Sequence, residues 1–282
     1  MKKTLRIFAA VMAVMMLALC FTACAGTASS KAKVIEFKLT EEEYAFGVDK
    51  NQPELLEKAN EFIAKIKADG TFDDICDKYF GDGTPTAVKS AAIDESKDQL
   101  VVATNAGFEP FEYMIGEDYY GIDLEIAALF AQELGKELVI SNMDFDAVCL
   151  SVGQSKADIA MAGLTIKEDR KEYVNFTDKY YDASQMLIVP ADDTTFDACT
   201  SADEVAALLE ELDDTKKIGV QQGTTGQFYV DGDESWGFAG LTAKSVGYKS
   251  GSLAVNDMLN GNIDYVIIDE APAHCIVDAI NG

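Results

Sequence analysis

Histidine occurs once, at His274, and tryptophan once, at Trp236, in 282 residues. A single imidazole leaves no Ser/His/Asp set and no histidine-rich metal cluster, so the side chains of common catalytic machinery are missing. Neither a metal nor a cofactor is expected. His274 and Trp236 themselves read as packing or surface residues. Cysteine is sparse as well: six residues, none in a CxxC pair. The wide spacing of Cys76, Cys149, Cys199 and Cys275 is no zinc signature. Buried free thiols are the expectation, with a Cys199–Cys275 bridge left open. Basic charge is short too, with 23 Lys and Arg against 49 acidic residues, a formal charge of −26. Such a surface repels phosphate backbones, which sets nucleic acid aside as a partner.

Long apolar runs are confined to the front of the chain. MKKTLR is a basic start, IFAAVMAVMMLALCFTA follows it, and Cys24 then opens the small, polar AGTASS. That pattern marks residues 1–23 as an export signal rather than core. Loss of Lys2, Lys3 and Arg6 with the signal, which carries no acid, deepens the charge from −26 to −29. FTAC resembles the lipobox of bacterial lipoproteins. The resemblance implies acylation of Cys24 and a lipid anchor on the extracytoplasmic face of the cell membrane, with residues 24–30 as its linker.

What remains alternates short β-like runs with helical ones. LVVAT (100–104) precedes GIDLEIAALFAQELG (121–135), whose Ile122, Ile126, Leu129 and Phe130 share one helical face, and Gly135 suits the position after the helix. ELVIS, DIAMAG, QMLIV, KIGV, SVGY and DYVIID follow as apolar runs with helical segments between most of them. This alternation predicts an α/β protein with largely parallel sheets. Ser201 is the expected cap of a helix over SADEVAALLEEL, with Glu204 three residues on. Upstream, VIEF and EYAFGV read as strands, and Pro53 opens a helix with Leu55, Leu56, Ala59, Phe62, Ile63 and Ile66 in one stripe. ADGTFDDICDKYFG gives a turn and a second short helix. The small, polar residues 82–99 read as a linker.

LVVATNAGFEPFEY, YYGIDLEIAALFAQELG, MDFDAV and KADIAMAGLTIKEDRKEYVNFTDKYY resemble, in that order, the first lobe of the polar amino-acid-binding proteins of ABC importers. KIGVQQGTTGQFY and IDYVIIDEAPA are similar to their second lobe. The resemblance implies a two-lobed periplasmic-binding-protein-like (type II) fold with two hinge strands. In that family a segment like VIEFKLTEEEYAFGVDKNQPELLEKANEFIAKIKADGTFDDICDKYFG closes the chain, whereas here it occupies residues 34–81, ahead of the rest. The order implies a circular permutation. Lobe 2 would take residues 31–42 and 191–282, and lobe 1 residues 49–81 and 100–185. Residues 43–48 and 186–190 would be the hinge strands, and 82–99 the join between the former ends. Fully extended, the join reaches about 60 Å, more than the ~35–40 Å breadth of such a lobe.

A free amino acid carries a carboxylate and an ammonium on one carbon, and burying either unpaired is costly. Arg170, just inside a helix opened by TIKEDR, is the candidate for the carboxylate, because a guanidinium donates two parallel hydrogen bonds. By resemblance Thr165 and the Thr225 amide complete that shell. Asp269, emerging after the strand YVII, is the candidate for the ammonium, with the Gly163 carbonyl as a second acceptor. The resemblance also implies that Phe108 and Phe145 pack on the ligand. Asn105 and Gln221 would face its side chain. A neutral amide at Asn105, where relatives for basic amino acids often carry Asp, tilts the expectation toward a neutral polar ligand, and Gln221, Glu109 and Glu112 bear on it.

The reading is therefore a binding protein that captures a free amino acid and delivers it to the permease of an ABC transporter. Two alternatives stand beside it. One is a stand-alone amino-acid sensor. The other is an enzyme resembling the cyclohexadienyl-acid dehydratases on this fold, for which Glu112 or Glu109 would be the acid.

Overall fold

Residues 31–282 are described by the structure, a computed structural model. The expected export signal, Cys24 and the 24–30 linker lie outside the described residues.

Alternation of apolar strands with amphipathic helices produces two lobes, each built on a five-stranded sheet. The chain begins in lobe 2 with β1 (Ala32–Ile35) and crosses to lobe 1 through β2 (Glu42–Tyr44) and β3 (Gly47–Asp49). Helices α1 (Pro53–Ala68) and α2 (Thr71–Phe80) cover lobe 1. Strand β4 (Gln99–Thr104), the hairpin β5 (Tyr113–Ile115) and β6 (Asp118–Tyr120), and α3 (Ile122–Leu134) extend it. Strand β7 (Glu137–Asn142), α4 (Phe145–Gly153), β8 (Ile159–Ala160) and β9 (Val174–Phe176) complete it. The return crossing runs through β10 (Tyr181–Ala183) into β11 (Gln185–Pro190). Lobe 2 then adds α5 (Ala202–Glu210), β12 (Lys217–Gln221), α6 (Thr225–Asp231) and β13 (Lys244–Tyr248), followed by α7 (Gly251–Leu259), β14 (Tyr265–Asp269) and α8 (Glu270–Asn281).

Strand order is β7-β4-β8-β3-β9 in lobe 1 and β1-β11-β14-β12-β13 in lobe 2. Both sheets are mixed rather than largely parallel. The antiparallel members are those next to the crossings: β3 runs against β8 and β9, and β11 against β1 and β14. A strand that enters from the other lobe comes from the opposite end of the sheet, so it runs against its neighbours. The core of the sheets keeps the parallel pairs β4–β7 and β12–β14.

Local signals account for most element boundaries. Helix α1 starts on a proline and buries Leu55, Ala59, Phe62, Ile63 and Ile66, the stripe that its spacing dictates. Gly135 takes φ 68° after α3 and ends it. Ser201 accepts a hydrogen bond from the Glu204 amide at 3.3 Å, and the Glu204 carboxylate accepts from Thr200 N–H at 2.6 Å. The capping box closes one residue further out than its usual form. Where the sequence suggests one strand over EYAFGV, there are two. Strand β2 pairs with β10 and β3 with β8 and β9, so the chain changes partner between Tyr44 and Gly47.

The polar stretch 82–99 is more than a tether. Val88 forms a bridge with Tyr119, Ala91 N–H donates to Leu138 O at 2.8 Å, and Ser90 Oγ accepts from Ile140 N–H at 2.8 Å. Val88 is buried against Leu124 and Ile140. Composition hides this role, because one valine among small polar residues carries no periodicity. Val88→Ala removes two carbons from a buried site and should cost about 1.6 kcal/mol, at roughly 0.8 per methylene. Urea denaturation checks it: an unchanged midpoint would make the segment a loose tether after all.

Candidate functional site

Both crossings between the lobes form one short antiparallel ribbon, β2 with β10, in the register Tyr181↔Tyr44, Asp182↔Glu43 and Ala183↔Glu42. The cleft lies in front of this ribbon, and loops after the strands of each lobe deliver polar side chains to it, where ligands of open α/β sheets bind.

Lobe 1 supplies Arg170 from a single 3-10 turn, Arg170–Glu172. The expected helix after TIKEDR does not form, since the chain turns directly into β9, so an extended helix N-terminus contributes nothing to anion binding here. The guanidinium is held instead by carbonyls. Nη1 donates to Thr165 O at 2.7 Å and Nη2 to Gly223 O of lobe 2 at 3.0 Å, and the group lies 5.2 Å from the centre of the half-buried Phe145 ring. Arg170 is buried. Gly163 has φ 53°, and a Cβ there would stand 2.9 Å from the Phe108 ring. Only glycine lets that ring close over the backbone at this left-handed position. The Gly163 amide donates to Asp123 Oδ2 at 2.9 Å, while Tyr180 donates to Asp123 Oδ1 at 2.7 Å. Burial pushes the Asp123 carboxyl up to about 7, opposed by those two bonds.

Lobe 2 supplies Asp269 at the end of β14, buried and accepting a hydrogen bond from the Tyr44 hydroxyl. Burial, followed by the neighbouring Glu42, raises its carboxyl to about 7. Thr225 starts α6 and its hydroxyl donates to Thr165 Oγ1 across the cleft at 3.4 Å. Gln221 Nε2 donates to Asn105 Oδ1 at 2.9 Å, and Asn105 Nδ2 donates to Met143 O at 2.7 Å. Contacts thus join Arg170, Thr165, Thr225 and Phe145 in one group and Asn105 with Gln221 in another. Asn105, however, spends its amide on protein partners, because lobe closure brings Gln221 onto it.

Three residues gain weight only in three dimensions. Glu112 was weighed in the sequence for side-chain preference; it is fully buried, and neither carboxylate oxygen accepts a hydrogen bond from any described residue. Burial, then Asp123 and Asp269, raises its carboxyl well above the usual range. Glu42 lies in the ribbon itself. Lys167 is buried in lobe 1, with Nζ 2.6 Å from Asp233 Oδ2 and 3.6 Å from the centre of the Phe228 ring, both in lobe 2. Beside that lysine the Asp233 carboxyl falls to about 2, with Ser235 assisting. No sequence signal distinguished Lys167 from the other charges of TIKEDR. The lobes are thus held shut by Lys167, Arg170 and Gln221, plus an exposed Lys249–Asp144 pair at 2.9 Å. At the mouth, Phe108, Glu109 and Met114 of lobe 1 face Asn256, Ile268 and Cys275 of lobe 2. The four described cysteines are free thiols.

Two lobes on a two-strand hinge, with polar loops converging between them, define a solute-binding protein by architecture. The profile of the bacterial extracellular solute-binding proteins, family 3, matches residues 6–82 and 100–267, and the chain belongs to that family. It is 30% identical over 109 residues to the arginine-binding extracellular protein ArtP of Bacillus subtilis (strain 168), covering 39% of this chain and 43% of that one. With a probable histidine-binding protein of Neisseria gonorrhoeae it shares 27% identity over 174 residues, 60% of this chain and 58% of that one. Among solved structures, holo ArgBP from T. maritima superposes with a TM-score of 0.53 at 31% identity, covering 67% of this chain and 77% of that one. The chain spans less than two thirds of the curated relatives' own length, from 43% to 65%.

Two predictions follow from the charges. Lys167→Met removes the buried tie to Asp233, and its cost of about 1.5–3 kcal/mol should shift the lobes toward an open form, visible as a larger radius of gyration by small-angle X-ray scattering. The second concerns Asp269. Its folded value lies above that of an unfolded aspartate, so the proton stabilises the unliganded fold fully below about pH 4, and this contribution is lost as pH rises through about 7. A cationic group placed against Asp269 needs the ionised form, so affinity for a solute that carries one there should climb between pH 5 and 8 and then level off. Titration calorimetry across that range checks it, and Asp269→Asn should flatten the profile.

Proposed function

We propose that this chain captures a free polar amino acid between its lobes and hands it to the permease of an ABC transporter. One observation carries the reading: a buried guanidinium in lobe 1 and a buried carboxylate in lobe 2 flank the point where Thr165 and Thr225 meet at 3.4 Å. That is the charge pattern of a receptor for a zwitterion, with Arg170 for the carboxylate and Asp269 for the ammonium. Gly163, Phe108 and Phe145 enclose the stem of the ligand in this reading. Export and a lipid anchor at Cys24 would hold the protein on the extracytoplasmic face.

The side chain of the ligand is better matched by a cation than by a neutral group. Asn105 tilts the sequence the other way, but it is engaged by Gln221. Among the described residues Gln221 Oε1 is buried without a donor and calls for an N–H group, which a guanidinium or imidazolium supplies. The arginine- and histidine-binding relatives support this preference.

Circular permutation remains our account of the element order. The two ends of the described segment meet in space: Lys31 N–H donates to Asn281 Oδ1 at 2.8 Å, and Asn281 Nδ2 donates to Ala32 O at 2.9 Å. A few residues would join them. A second functional reading rests on Glu112. A buried carboxyl that holds its proton is what a cyclohexadienyl-acid dehydratase would need as a general acid. Turnover of a cyclohexadienyl acid, lost in Glu112→Gln, would favour it.

Thermal unfolding of residues 31–282, stripped of carried ligand by refolding, is the test against all twenty amino acids. A native-state ligand raises the melting point by mass action, and arginine or histidine should give the largest shift. Arg170→Ala should weaken binding by about 3–5 kcal/mol. Binding retained within tenfold would remove Arg170 from the carboxylate shell.

A further inference from the structure

Glu42 sits where the two crossings, both lobes and the ligand shell come together. Its carboxylate is buried, and every donor it meets is neutral. Oε1 accepts from Thr40 Oγ1 at 2.7 Å and from Gln185 Nε2 at 2.9 Å, and Oε2 accepts from Thr165 Oγ1 at 2.7 Å. The two lysines that share a cavity wall with Glu42 are spent elsewhere, Lys179 on Glu43 and Asp182, and Lys38 on Glu270. Asp269, the other acid of this corner, bonds Tyr44, two residues along the same strand. Among the described residues, then, neither of these two buried acids has an ion-pair partner.

The direction of one hydrogen bond matters most. A hydroxyl has one proton to give. Thr165 gives its proton to Glu42 and accepts from Thr225 at 3.4 Å, so its oxygen has one lone pair left for the cleft and no proton. Such an oxygen accepts from an ammonium and repels a carboxylate. In this reading the Thr165 hydroxyl serves the ammonium, and only the backbone amide of Thr165 is left for the carboxylate shell that the family pattern suggested. Glu42 is what fixes that polarity.

We propose that Glu42 is a positioning and selecting residue for the ligand ammonium: it locks the Thr165 hydroxyl as an acceptor and, with Asp269, makes the corner a double-anion receptor for a protonated amine. This rests on the amino-acid reading above. The site then rejects solutes that present a carboxylate without an α-ammonium. It does so from the hinge, where Glu42 ties Gln185 of one crossing to Thr165 of lobe 1. The charge that selects the ligand also ties together the segments that move.

The test compares each amino acid that shifts the wild-type melting point with its deaminated counterpart, L-arginine against 5-guanidinopentanoate first. Affinities are measured by calorimetry on wild type and on Glu42→Gln, in which one oxygen becomes a donor. The expected result is a loss of about tenfold or more for the amino acid, with the deaminated acid changed less than about twofold, so that selectivity collapses. A purely structural role would weaken both ligands alike, and that outcome overturns the proposal, as does an unchanged amino-acid affinity. If Glu42→Gln does not melt cooperatively, Thr165→Val breaks the same bond from its other end and must show the same selective loss. Should no amino acid shift wild type, the binding function itself falls and this proposal with it. A wild-type shift with intact selectivity in both variants defeats the role of Glu42 alone.

Discussion

Acids buried without a counter-ion organise this protein. Removing a carboxylate from water costs several kcal/mol unless charge or hydrogen bonds replace the lost hydration. The hinge side of the cleft holds Glu42, Glu112, Asp123 and Asp269, all buried. The protein answers part of that cost with hydroxyls, amides and raised proton affinity at Asp123 and Asp269. Its buried basic groups, Arg170 and Lys167, are directed toward the opposite wall, onto carbonyls, Asp233 and Phe228. Charge is thereby sorted across the cleft, one end short of cations and the other furnished with them. A zwitterion fits this sorting in one orientation only.

The same sorting explains why closure and recognition share parts. Arg170 reaches a lobe 2 carbonyl, Thr165 touches Thr225, and Tyr44 of the ribbon bonds Asp269. Each contact spans lobes or ribbon and also borders the ligand position proposed above. Lys167 adds a further tie between the lobes, since its ammonium meets Asp233 and the Phe228 ring of lobe 2.

Much of the fold was legible in the sequence because apolar spacing is a local property. The stripe of α1, the cap at Ser201 and the turn at Gly135 needed no tertiary information. The change of partner between Tyr44 and Gly47 was not legible, since EYAFGV is uniformly strand-like and only the placement of two lobes breaks it. The 3-10 turn at Arg170 escaped for a similar reason: KEDRKE is helical by composition, but the chain must reach β9 within a few residues. Within the site, family motifs nominated residues without giving the direction of a single hydrogen bond. Arg170, Thr165, Thr225 and Asp269 were nominated by pattern, whereas the proton on Thr165 and the isolation of Glu112 depend on neighbours far apart in sequence. Glu42, one of three consecutive glutamates, is indistinguishable from Glu41 and Glu43 on paper. Strand alternation alone turns it inward.

Asn281 has a mechanical meaning as well. Its amide fastens the last turn of α8 to Lys31 and the first residue of β1, so a pull on the chain at Lys31 would act at the outer edge of lobe 2. A load applied there is taken up by β1, by its four-residue ladder with β11 and by α8, and it does not pass through the β2–β10 ribbon. Lobe 2 would behave as the fixed plate of a clamp, with lobe 1 swinging free on the unloaded side.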